Sequence, residues 1–157
     1  MATPKPFDQA GFLIYLERIT ASSAAAADMR LPTPLDSLLF ASDGSGQLTG
    51  TVAHLIQLLK GREAMLQASF DTERVADELR RYQKFAKPGK PSPHIVQLRQ
   101  QQGSVRQAAS VAKQSFIKAA AAFVRSAGMG VPERVALEVY IDRWIDDNVP
   151  KHFIATI

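Results

Sequence analysis

Between Lys87 and Pro93 the chain reads Lys-Pro-Gly-Lys-Pro-Ser-Pro, and no helix continues through such a segment. Pro88, Pro91 and Pro93 have no amide hydrogen to donate, and each ring would crowd the carbonyl four residues back. The segment is a stiff connector. It divides the 157 residues into an N-terminal part, 7–86, and a C-terminal part, 94–157. On both sides apolar residues recur every three to four positions and nowhere alternate convincingly. The expected class is therefore all-α, a compact bundle of about six helices within a single domain.

In the N-terminal part, Asp8 caps a first helix whose apolar face is Phe12, Tyr15, Leu16 and Ile19. Ala24 to Ala27 extend it to near Arg30, and Leu31-Pro-Thr-Pro34 ends it. Leu35, Leu38, Leu39 and Phe40 suggest a short helical turn, and Asp43-Gly-Ser-Gly46 a loop. That loop is not read as a phosphate cradle, because no Lys-Ser or Lys-Thr pair follows it. A further helix starts at Thr49 or Thr51 and buries Val52, Leu55, Ile56, Leu59 and Leu66, with Gly61 as a weak point or an end. Asp71 caps the next, faced by Val75, Leu79, Tyr82 and Ala86. The C-terminal part reads as helices over Pro93–Gln102, Ser104–Ala127 and Pro132–Asn148, separated at Gly103 and at Gly128-Met-Gly130. The expected core is Leu16, Ile19, Leu55, Leu59, Leu79, Phe116, Phe123, Leu137, Ile141 and Trp144.

Charge gives the clearest pointer to a partner. From Arg80 to Arg125 there are ten basic residues and no Asp or Glu. The rest of the chain holds 9 basic against 15 acidic residues, so a net charge of +4 is the difference between +10 here and −6 elsewhere. A concentrated field of one sign attracts polyanions. The residues expected to meet phosphate are Arg80, Arg81, Lys84, Lys87, Lys90, Arg99, Arg106 and Lys113.

The stretch from His94 to Ser115 resembles a helix-turn-helix of the kind found in Fis-like and LysR-type regulators. Gly103, Ser104, Ala108, Ala109 and Ser115 occupy matching places. The resemblance implies a DNA-binding recognition helix. Ala112-Lys113 stands where such motifs carry Leu-Gly at the turn, and alanine on both sides favours one unbroken helix instead. An unbroken helix can still bind nucleic acid through phosphate contacts alone.

Other chemistry finds little support. Glu138, Asp142 and Asp146 form a column of carboxylates at i, i+4 and i+8, read as a solvated face or as a partner for the basic stretch rather than a metal site. His54, His94 and His152 lack metal-ligand spacing, and cysteine is absent. No serine sits in a nucleophile motif. No enzymatic activity, metal or cofactor is expected. The N-terminus lacks a signal-peptide pattern and no apolar run reaches the length of a membrane span, so no membrane association and a cytoplasmic location are expected. Tyr82, near Arg81 and Lys84, could stack on a base, but its helical spacing from Leu79 favours the core. The expected function is a small regulatory or accessory protein that binds nucleic acid. The alternative is a protein–protein adaptor or chaperone-like module whose partner is an acidic protein surface, or a homodimer joined through apolar helix faces.

Overall fold

A computed structural model describes residues 6–22, 38–39, 49–84 and 92–151. Among them are four helices and no strand: α1 (Ala10–Ser22), α2 (Thr51–Lys84), α3 (Pro93–Ala127) and α4 (Leu137–Asn148). Several expectations fall outside the described residues: the extension over Ala24 to Ala27, the stop at Leu31–Pro34 and the loop at Asp43–Gly46. So do Phe85 to Pro91, with Lys87 and Lys90, and the tail from His152.

The expected count of about six helices is not confirmed: four helices stand among the described residues, where three expected breaks are helix interior. Gly61 and Asp71 both lie within the 34 residues of α2, and Gly103 lies within the 35 of α3. A glycine inside a helix costs only about 1 kcal/mol relative to alanine, which tertiary packing readily offsets. Gly61 shows how. It packs directly on Phe116 of α3: a Cβ built there would meet the Phe116 Cα at 3.4 Å, in ordinary contact. Asp71 caps nothing and instead accepts a hydrogen bond from the Gln67 side-chain amide. α4 begins at Leu137 rather than Pro132, whose carbonyl accepts the Val135 N–H in a preceding turn.

α2 and α3 form an antiparallel hairpin. The Thr51 and Ser126 hydroxyls hydrogen-bond at 2.9 Å, Gly61 faces Phe116, and the Tyr82 ring meets the His94 ring. Each step forward along α2 therefore matches a step back along α3. The seam alternates three- and four-residue spacings, the pattern of a coiled coil. On α2 it runs through Gly61, Met65, Ala68, Thr72, Val75, Leu79 and Tyr82. On α3 it runs through Ile95, Leu98, Gln102, Val105, Ala109, Ala112, Phe116, Ala119 and Phe123. All but Tyr82 are buried or half-buried. Both ends of α3 are capped. Ser92 Oγ accepts the Ile95 N–H at 3.2 Å with Pro93 in the first turn. At the other end Gly128 takes a left-handed conformation (φ 68°), and the Met129 N–H returns to the Val124 carbonyl.

The two ends of this hairpin differ. At the base, α1 packs on α2 and α4 on α3, and one core joins Phe12, Leu16, Leu55, Leu59, Phe116, Phe123, Ile141 and Ile145. Trp144 is half-buried and tilts over Phe123 with ring centroids 5.0 Å apart. Beyond Leu66, α2 and α3 continue as a two-helix arm roughly 30 Å long. Its far end is closed by a small separate cluster of Leu79, Ile95 and Leu98. No helix among the described residues is long and apolar enough to cross a membrane.

Candidate nucleic-acid interface

The seam fixes where the cations of α3 lie. Arg99, Arg106 and Lys113 stand seven residues apart, next to the buried Leu98, the half-buried Val105 and the half-buried Ala112. They form one column flanking the seam, with a spacing of about 10.5 Å along the helix. Two turns further on, the same column is occupied by Ala120, which is fully buried in the base. All three cations are exposed, and none has a carboxylate partner among the described residues.

Lys118 and Arg125, also seven residues apart and exposed, form a second column. Five residues separate Lys113 from Lys118, a rotation of about 140° around the helix. The basic stretch therefore does not gather on one face. At the end of α2, Arg81 and Lys84 are exposed and lack carboxylate partners among the described residues, while Arg80 pairs with Asp77 one turn back. Arg81 and Lys84 also lie in the last turn of α2, where positive charge offsets the negative end of the helix dipole.

Among the described residues the carboxylate column of α4 does not pair with the basic stretch. Arg62 of α2 reaches across the base, its Nε 3.1 Å from Asp142 and its Nη2 2.9 Å from Asp146. The arginine side chain is 14% exposed against 53% and 42% for the two aspartates, so its aliphatic stem packs while both carboxylates remain wet. Gln9, at the start of α1, donates to Asp146 at 3.5 Å and ties that end of the bundle to the same group. Glu138 borders an adjoining groove of about 410 Å³ lined by Met65, Leu66, Phe116 and Val139. Among the described residues no three His, Asp or Glu side chains gather as a metal site. Sequence inspection missed Arg62, which lies 84 positions from Asp146 and carries no local mark of its partner.

The tip of the arm holds the other surprise. Tyr82 is 46% exposed rather than buried, and meets His94 edge to face with centroids 4.3 Å apart. Tyr82 is a seam residue in register with the first turn of α3, and among the described residues no further helix covers its ring. The exposed Val96 adds apolar surface on the same turn of α3, and Arg81, Lys84 and Arg99 are near neighbours along the two helices. His54 is half-buried in α2, away from this cluster. Comparison with family models, curated proteins and solved structures gives no match for this chain.

Proposed function

We propose that this is a small regulatory or accessory protein whose hairpin arm binds nucleic acid through phosphate contacts. The contacts run along Arg99, Arg106 and Lys113, with Arg81 and Lys84 at the arm's end. The observation that carries this reading is the column itself: three exposed cations, evenly spaced along a projecting helix, with no carboxylate partner among the described residues. Self-neutralisation by the acidic column would weaken it, and Arg62 already engages Asp142 and Asp146. A spacing of about 10.5 Å corresponds to about three base-pair rises of 3.4 Å along a strand. α3 runs unbroken through Ala112 and Lys113, so the turn of a helix-turn-helix is missing. Phosphate contacts position a protein without specifying sequence, and weak sequence preference follows.

The test compares the two sides of α3 by fluorescence anisotropy with labelled nucleic acid. Changing Arg99, Arg106 and Lys113 to Gln should remove most binding, while changing Lys118 and Arg125 to Gln should leave it nearly intact. Equal losses would mean that the column has no special place. The adaptor reading is favoured by a different observation. A shallow groove lined by Ala64, Ser104, Ala108, Val111 and Ser115 lies on the arm, with Val111 59% exposed. Under that reading DNA and RNA bind no better than heparin.

A further inference from the structure

We infer that Tyr82 is a stacking platform for an unpaired base, and that the arm takes single-stranded nucleic acid in preference to duplex. This rests on the phosphate-binding reading above. In a duplex the faces of the bases are already stacked on one another, and an exposed aromatic ring beside a cation column has nothing to receive. In a single strand every base offers a free π-face, and proteins that bind such strands combine a basic track for the backbone with aromatic rings for the bases.

The arm tip supplies both parts. The Tyr82 ring is 46% exposed, and its edge-to-face contact with His94 restrains the ring. A restrained ring loses little freedom when a base lands on it. In the register of the hairpin Tyr82 faces Ile95, and Arg99 lies four residues beyond Ile95, about 6 Å along the axis and on the same side of α3, so a strand with a base on Tyr82 has a cation close by for a neighbouring phosphate. Arg106 and Lys113 continue the same line towards the base. Arg81 and Lys84 are exposed and lie within two residues of Tyr82 on its own helix.

The experiment titrates the full-length protein with a labelled oligothymidylate and with a labelled duplex of equal length, at one salt concentration. The expected result is tighter binding of the single strand. Tyr82→Ala should weaken that binding roughly five- to hundredfold, the range for losing one stacked base, and leave duplex binding unchanged. Tyr82→Trp should keep the affinity, and its fluorescence should be quenched by the single strand only, with the half-buried Trp144 as a constant background. An unchanged circular dichroism spectrum checks that each variant is folded. If Tyr82→Ala binds the single strand as well as the parent while the Arg99, Arg106 and Lys113 triple variant has lost it, the platform is refuted and the column stands. A parent that prefers duplex also refutes the platform. A folded parent that binds neither probe removes both proposals together.

Discussion

The base and the arm of the α2–α3 hairpin are built from the same two helices, and they differ in what lies over the seam. At the base, α1 and α4 cover it, and the flanking column of α3 reaches the fully buried Ala120. In the arm nothing among the described residues covers it, and that column holds Arg99 and Arg106, with Lys113 at the arm's root. A long cation is incompatible with a third helix packed on that flank, because burying its charge without a partner costs several kcal/mol. The difference teaches that, among the described residues, the seam is what joins the two helices of the arm, and that Arg99, Arg106 and Lys113 beside it have no carboxylate partner there.

Substitutions can break this contrast, starting with the base. Phe123→Ala should cost about 3–5 kcal/mol in denaturant unfolding, because the side chain is fully buried where α3 meets α4. A loss below about 1 kcal/mol would show that the base core is not as described. Leu79→Ala, in the small cluster near the arm's end, should cost about 2 kcal/mol, at the low end for leucine. Its loss should appear as faster amide exchange along the arm, with the base still protected. Uniform acceleration in both regions would make base and arm one cooperative unit.

Arg62→Met probes the strut between α2 and α4. It should cost about 1 kcal/mol, because both aspartates are wet enough to be rehydrated when their partner is lost. Most of that difference should vanish in high salt, and a salt-independent loss would assign the effect to packing instead. The smallest effect should be a gain. Gly103→Ala meets no atom within 4 Å and lies inside a continuous helix, so it should stabilise the protein by about 0.5–1 kcal/mol. Destabilisation would restore the break that the sequence suggests at Gly103.

Much of this fold is legible in local spacing. The faces formed by Phe12, Tyr15, Leu16 and Ile19, and by Ile141 and Ile145, follow from helical periodicity, and all of these residues are buried. The helix boundaries are not legible where tertiary contacts decide them. Gly61 looks like an end until Phe116, from the other side of the connector, is set against it. In the candidate site, the segregation of charge is plain from composition. The two columns are implicit in the sevenfold spacings, but which column borders the seam depends on the register between α2 and α3. The meeting of Tyr82 with His94 depends on that register too, since it sets the first turn of α3 against the last turn of α2. The link from Arg62 to Asp142 and Asp146 spans most of the chain and is invisible locally.

The most direct test of the central claim, that unpaired arm cations bind phosphate, is the salt dependence of affinity. With Arg81, Lys84, Arg99, Arg106 and Lys113 each releasing a counterion, log K against log salt should slope at roughly −3.5 for a single strand and −4.5 for a duplex. Changing Arg99, Arg106 and Lys113 to Gln should flatten these to about −1.4 and −1.8, whereas changing Lys118 and Arg125 should leave them nearly as they were. An unchanged slope in the triple variant, or no binding by the folded protein at about 50 mM salt, would contradict the account.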